Sequence, residues 1–156
     1  MSIPTSTAPG VKAWLAASIG GWLDVDPLAE DPAVLVSYDE PIAPNQPDDV
    51  IIVGDIVQEQ QPHAMVGSGG AGFLYETYTV EIEISIYHGG DLAQQIDTRL
   101  WHIHAQLAQA IRADPSLGGQ VLVAYLGGMS TSTDVDENET GRVTTGITHL
   151  HAEAQI

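Results

Sequence analysis

The stretch YTVEIEISIY, residues 78–87, is the clearest structural signal in this 156-residue sequence. Apolar or aromatic side chains alternate with mostly polar ones along it: Tyr78, Val80, Ile82, Ile84 and Ile86 against Thr79, Glu81, Glu83, Ser85 and Tyr87. Because successive side chains of a β-strand point to opposite faces, this period of two predicts a strand with one buried and one polar face. Such a strand is typical of an antiparallel sheet that is covered on one side only.

A long helix is predicted directly after this strand, over residues 92–112. Its apolar stripe, which we expect to be core, consists of Leu92, Ile96, Leu100, Ile103, Leu107 and Ile111. Asp91 is the predicted N-cap, and Asp114 followed by Pro115 ends the helix. Two more strands are predicted at residues 121–126 and 142–156, with a polar, acidic loop at 127–140 between them. Gly146 interrupts the alternation of the last strand.

Upstream of the stretch, the sequence predicts a flexible arm at residues 1–10 and a short helix at 11–23. Short strands are predicted at residues 34–38 and 50–58. Residues 60–72, QQPHAMVGSGGAG, hold four glycines and no charge, and they are expected to form a loop. The element order predicts one α+β domain at 11–156: a mainly antiparallel sheet, one long helix on a face and a short N-terminal helix.

Composition excludes several classes of protein. The chain has 21 acidic residues against four Lys and Arg, a net charge of −17, and no cysteine. Four cations cannot build the basic patch that nucleic acids or anionic membranes require. Disulfides and cysteine-ligated zinc are excluded as well. Since no apolar run approaches the length of a membrane span and the first residues lack a signal-peptide pattern, we expect neither feature.

Two histidines form a weak candidate for metal binding. His149 and His151 are two residues apart on a predicted strand, so that both imidazoles point to one face. No third ligand is fixed nearby in the sequence, which favours ordinary exposed histidines.

An acidic segment is a second weak metal candidate, because Asp134, Asp136 and Asn138 reproduce the opening of an EF-hand loop. Glu139 and Thr145 occupy the positions where such a loop needs glycine and a bidentate glutamate. A solvated acidic loop is favoured, with a weak cation site left open, and we predict no metal.

No catalytic constellation is found. Glu81 and Glu83 share a strand face and resemble a carboxylate pair, yet such a pair usually forms a solvated or interface surface. The glycine-rich residues 67–72 lack the lysine of a phosphate-binding loop and precede a strand rather than a helix. We therefore predict that the protein is not an enzyme and takes no cofactor.

The order of elements resembles that of the tail terminator, or tail-completion, proteins of long-tailed phages and of the wider neck-protein group. The segments that carry the resemblance are VKAWLAASIGGWL, VLVSYDEP, DDVIIVGDI, YTVEIEISIYHGGD, DLAQQIDTRLWHIHAQLAQAI and GRVTTGITHLHAEAQI, which together span about residues 10–156. The resemblance implies an α+β protein that forms a ring, typically a hexamer, at the head-proximal end of the tail tube. Such a ring stops tube polymerisation and docks the neck, so the implied partners are further copies of the chain, the tail tube protein and the head-closure protein.

Within this interpretation DNA passes through the ring without specific binding, no membrane is involved, and the protein resides in the virion after assembly in the host cytoplasm. The docking loop would contain Met65, Gly67, Ser68, Gly69, Gly70 and Phe73. An acidic channel wall or outer rim would contain Glu81, Glu83, Asp134, Asp136, Glu137 and Glu139. The alternatives are a head-closure or tail tube protein and, ranked lower, a small metal-dependent enzyme or binding module.

Overall fold

A five-stranded sheet with two helices packed on one face makes up the described part of the chain in the computed structural model. The structure describes residues 5–24, 34–42, 47–62, 74–90, 92–135 and 141–155. The elements in chain order are α1 (Ala8–Ser18), a 3-10 helix (Ile19–Trp22), β1 (Val34–Tyr38), β2 (Asp49–Pro62), β3 (Leu74–Gly89), α2 (Ala93–Ala113), β4 (Val123–Val135) and β5 (Gly141–Gln155). The predicted α+β class is confirmed.

The strands lie in the order β1-β2-β3-β5-β4. Strand β1 runs parallel to β2, and the other three pairs are antiparallel. The helix α2 connects β3 to β4, and β5 then returns between these two strands and pairs with both. The sheet is therefore mainly antiparallel, as predicted, while the parallel pairing of β1 and the insertion of β5 are features that the sequence analysis did not specify.

The core lies between the sheet and the helices. Val80, Ile82, Ile84 and Ile86 of β3 are fully buried, as the period of two predicted. The stripe of α2 packs against them and is also buried, through Ile96, Leu100, Ile103, Leu107 and Ile111. Leu92, the remaining member of the stripe, is the N-cap of α2 in place of the predicted Asp91, which lies outside the described residues. Within the described ranges, no helix combines the length and apolar character needed to cross a membrane.

The N-terminal helix begins earlier than predicted. Residues 8–10, which the sequence assigned to a flexible arm, belong to α1. Thr7 precedes the helix, and its backbone N–H and its hydroxyl donate to Glu76 Oε1 at 2.8 and 2.7 Å. Ala8 and Val11 are buried against the core, so the described part of the predicted arm from Thr7 onwards is held by hydrogen bonds and packing.

Strand β4 continues well past its predicted end. The prediction of a loop over residues 127–140 is wrong as far as Val135, and residues 136–140 lie outside the described part. The register shifts between Leu126 and Met129, after which β4 pairs with β5 again as far as Val135 opposite Arg142. A β-bulge at two glycines thus bends an edge strand whose polar composition suggested a loop.

Gly146 keeps its place in the pairing of β5, opposite Ile84 and Thr131. A Cβ atom at this position would lie 2.5 Å from Met129 Sδ and 3.1 Å from Leu100 Cδ1. The glycine is therefore required by the close approach of neighbouring side chains to the strand, and it does not end the alternation.

Candidate functional site

One face of the sheet carries no helix in the described part of the chain, and we call it the helix-free face. Directly paired residues of an antiparallel sheet point to the same side. The register accordingly places three cross-strand pairs of β3 and β5 on this face: Thr77 with Glu153, Thr79 with His151, and Glu81 with His149. The β3 residues of this face are mostly polar and partly exposed, and the neighbouring strands add exposed apolar side chains at Val57, Val123 and Ile147.

The lysine and arginine residues are confined to one side of the sheet, whereas acidic residues occur on both sides. Acidic side chains recur on the helix-free face, at Glu59, Glu81, Glu83, Asp134 and Glu153. The four Lys and Arg residues of the chain are all described, and all lie on the other side: Lys12 in α1, Arg99 and Arg112 in α2, and Arg142, which shares its side with the buried His88. The helix-free face therefore has a negative potential with no internal cation to offset it.

A concave site on this face, which we call the notch, has a volume of about 260 Å³. Its outward-facing lining residues form two cross-strand rows over β2, β3, β5 and β4: Val57, Thr79, His151 and Tyr125 in the first, and Glu59, Thr77 and Glu153 in the second. Two carboxylates, hydroxyl groups and two aromatic rings thus converge without a lysine or arginine among them.

Two contacts hold side chains of the notch in position. The Tyr75 hydroxyl donates to Glu153 Oε2 at 2.6 Å. This hydrogen bond, with smaller contributions from burial and from the charge of Glu153, raises the pKa of Tyr75, so the phenol remains a donor at neutral pH. Tyr125 stacks on His151 with ring centroids 4.7 Å apart and an angle of 6° between the planes. Tyr125 nevertheless remains 56% exposed.

Both outer strands of the notch carry a β-bulge beside it. In β2 the register shifts between Val53 and Ile56, just before Val57. In β4 it shifts between Leu126 and Met129, just after Tyr125. Because a bulge bends its strand and increases the local twist, the two bulges change the direction of the side chains that line the notch.

Glu81 and Glu83 lie farther along the helix-free face than the notch. Burial, followed by the negative charges of Glu40 and Glu81, raises the pKa of Glu83. The carboxylates thus repel one another on a partly buried surface.

The weak metal candidates are not brought together. His149 and His151 do share a face, but His151 stacks on Tyr125. Among the described residues, no group of three or more His, Asp or Glu side chains is arranged to hold a metal ion. Asp134 is exposed on β4, whereas Asp136 and Asn138 lie outside the described residues.

The predicted docking loop also lies outside the described residues, since Met65, Gly67, Ser68, Gly69, Gly70 and Phe73 fall within residues 63–73. The same holds for Glu137 and Glu139 of the predicted acidic wall. The docking role of the loop and the channel role of these acids stay predictions.

Sequence reasoning missed Glu59, Tyr75 and Tyr125 as site residues. Each is an outward-facing position of a strand, which a period of two can identify. Their convergence depends on the strand order β2-β3-β5-β4 and on the two bulges, neither of which can be read from local sequence.

No family model matches this chain, and no curated protein sequence matches it at a significant level. The order of elements and the surface described above are therefore the basis for the function proposed below.

Proposed function

We propose that this chain is the tail terminator of a long-tailed phage. In this role it is a structural virion protein that forms a six-fold ring at the head-proximal end of the tail tube. The ring stops tube polymerisation and joins the tail to the neck, and DNA passes through it.

The element order supports this proposal. The described segments follow one another as helix, strand, long strand, long strand, long helix and two long strands. The segments that carry the resemblance to tail terminators form α1, β1, β2, β3, α2 and β5. A ring subunit also needs surfaces for two neighbours, and the edge strand β4 is available for one such contact.

The single observation that supports the proposal best is the confinement of every lysine and arginine to the side of the sheet opposite the helix-free face. The helix-free face carries acids and no lysine or arginine, within a chain of net charge −17. Binding to DNA is driven by cations that neutralise phosphates and release counterions. A wall without such cations offers no electrostatic attraction to DNA, as a channel for DNA transit requires.

The first test is the mass of the assembled protein by light scattering over a range of protein and salt concentrations. We expect a particle of six times the 16.5 kDa chain mass, either free or on addition of tail tubes. Negative-stain images should show a ring with a central opening. A chain that stays monomeric under every condition, with tubes present, would contradict the proposal.

The second test measures tube growth with purified tail tube protein. We expect the chain to bind one tube end and to shorten the tubes in proportion to its concentration, whereas an unrelated acidic protein should leave their length unchanged. Incorporation along the whole tube would indicate a tail tube protein instead. Binding to the tube end without arrest of growth would indicate a head-closure protein.

A further inference from the structure

We propose that the notch binds the guanidinium group of Arg112 from a second copy of this chain. The contact is head-to-tail, and it supplies one of the interfaces between neighbouring subunits. This inference deepens the ring proposed above and rests on it for its biological setting.

The chemistry of the notch suits a guanidinium group. Glu59 and Glu153 provide carboxylate oxygens, and the bond from Tyr75 orients Glu153 in advance. Arginine presents a planar fork of donors that matches a carboxylate and also stacks on aromatic rings. The half-exposed ring of Tyr125, stacked on His151, offers such a surface.

Three of the four cations of the chain already have partners within it. Lys12 is buried, forms an ion pair with Asp39 and lies over the ring of Tyr38. Arg99 is buried, with its Nη2 donating to the Asp24 carbonyl at 2.7 Å and its Nε 3.5 Å from Asp49 Oδ2.

Arg142 is partly exposed and also interacts within the chain. Arg112 remains. It is exposed in the last turn of α2 and forms no ion pair with any residue that the structure describes.

Arg112 cannot reach the notch of its own molecule. It belongs to α2, which packs on the core side of the sheet, whereas the notch opens on the helix-free face. The sheet separates the two, so the guanidinium must come from another molecule. A contact between two different surfaces of identical chains is heterologous, and repetition of such a contact closes a ring or extends a filament.

Electrostatics between copies favours this contact over others. Each chain carries a net charge of −17, so two copies repel one another over most of their surfaces. Like charges placed opposite each other at an interface suppress association, while a complementary pair sets the register. Arg112 is the only lysine or arginine of the chain that is exposed rather than buried or half-buried, and the notch is a concave site lined by two carboxylates.

A mixing experiment tests the inference. Arg112→Gln removes the cation, and the double variant Glu59→Gln/Glu153→Gln neutralises the notch. We expect each variant alone to need at least a tenfold higher concentration for half-maximal assembly than the parent chain. In an equimolar mixture, the intact notch of the first variant should bind the intact Arg112 of the second. The mixture should then form heterodimers of twice the 16.5 kDa chain mass and no closed rings.

Two controls exclude loss of folding and nonspecific charge effects. Glu40→Gln removes an exposed carboxylate outside the notch, and assembly should remain at the parent level. Each variant should keep the circular dichroism spectrum of the parent. Arg112→Lys keeps the positive charge but lacks the planar guanidinium group, so its concentration for half-maximal assembly should lie between those of the parent and Arg112→Gln. If Arg112 only stabilised the C-terminal end of the helix through its charge, Arg112→Lys should instead assemble like the parent.

Other occupants of the notch are distinguished by NMR titration of the Arg112→Gln variant. N-acetyl-arginine-N-methylamide should shift the resonances of Tyr125 and His151, and the neutral citrulline analogue should not. If arginine binds there but Arg112→Gln assembles like the parent, the occupant is a different protein and the inference is wrong. Equal shifts with citrulline would also overturn it.

Failure of this inference and failure of the proposed function have different signatures. If the parent chain forms rings that arrest tube growth and Arg112→Gln does the same, only the inference is wrong. If assembly depends on Arg112 and the notch but tubes are unaffected, the inference holds and the tail-terminator function is wrong.

Discussion

Replacing Glu76 by Gln should destabilise the protein strongly at neutral pH and much less in acid. Glu76 is fully buried on the core side of β3, where it connects the start of α1 to the sheet. Its Oε1 accepts two hydrogen bonds from Thr7, and its Oε2 accepts one from Gln58 Nε2 at 2.6 Å. The substitution keeps the shape of the side chain and removes its charge.

The size of the effect follows from these three bonds. A hydrogen bond to a charged group contributes about 1.5–3 kcal/mol to stability, and a neutral one about 0.5–1.5 kcal/mol. The amide introduced by Glu76→Gln can keep its oxygen toward Thr7, and Gln58 can turn its own amide, so all three bonds survive as neutral ones. Each of the three bonds then contributes about 1 kcal/mol less to stability than in the parent. This loss is partly offset because the variant no longer buries a charge, and the net destabilisation is about 1–3 kcal/mol.

The pH dependence provides the sharper measurement. Burial alone raises the pKa of Glu76, but the hydrogen bonds from Thr7, Ser6 and Gln58 outweigh it and hold the pKa below its ordinary value of 4.5. At a pH just below 4.5, the Glu76 carboxyl therefore binds fewer protons in the folded state than in the unfolded state. The stabilisation is therefore complete above 4.5 and is lost as the pH falls through the folded-state pKa.

Urea unfolding followed by tryptophan fluorescence measures this difference, since Trp14 and Trp22 lie 5.6 Å apart beside the core. Parent and Glu76→Gln should differ at pH 7 and converge as the pH falls from 4.5 through the lowered pKa of Glu76. The control Glu81→Gln, on the opposite face of the same strand, should change stability by less than about 0.5 kcal/mol. Equal stability of parent and variant at pH 7, or parallel loss of stability in acid, would refute the reasoning.

Three further predictions concern the core, the loop and the acidic face. Gly146→Ala should destabilise the protein by about 1–3 kcal/mol in urea unfolding, because its Cβ meets Met129, and a second substitution Met129→Ala should recover part of the loss. Deletion of residues 67–72 should change the thermal unfolding temperature of the monomer, followed by circular dichroism, by no more than a few degrees. The same deletion should reduce the amount of protein that sediments with tail tubes. Unchanged tube binding would exclude the docking role. If the helix-free face lines the channel, the double variant Glu81→Lys/Glu83→Lys should retard DNA delivery, because the new cations attract phosphates. Delivery is measured as marker transfer into host cells by reconstituted particles. Delivery at the parent rate would show that these two acids do not line the channel.

Much of the architecture was predictable because it depends on local patterns. The alternation at residues 78–87 identified β3 and its buried face, and the stripe of α2 identified the helical side of the core. Strand ends were less predictable. The polar composition of residues 127–135 indicated a loop, but pairing with β5 across a bulge extends β4 to Val135, since backbone hydrogen bonds between strands do not require apolar side chains.

The candidate site was only partly predictable. That His149, His151 and Glu153 share a face follows from their spacing alone. Their neighbours Glu59 and Tyr125 belong to other strands that are distant in the chain, and they meet at the notch because β5 inserts between β3 and β4. Periodicity identifies the face to which a side chain points but carries no information about which strand lies beside it.

The α+β class, the acidity of the chain and the one-sided character of its longest strand all follow from the amino-acid sequence. Each of these depends on composition or on side-chain spacing within a single segment. The assembled fold, by contrast, separates the five acids of the helix-free face from all four lysine and arginine residues, which lie on the other side of the sheet. That separation arises because strand order and register assign each side chain to a face together with residues distant in the chain, and the segregated surface exists only once the sheet is assembled.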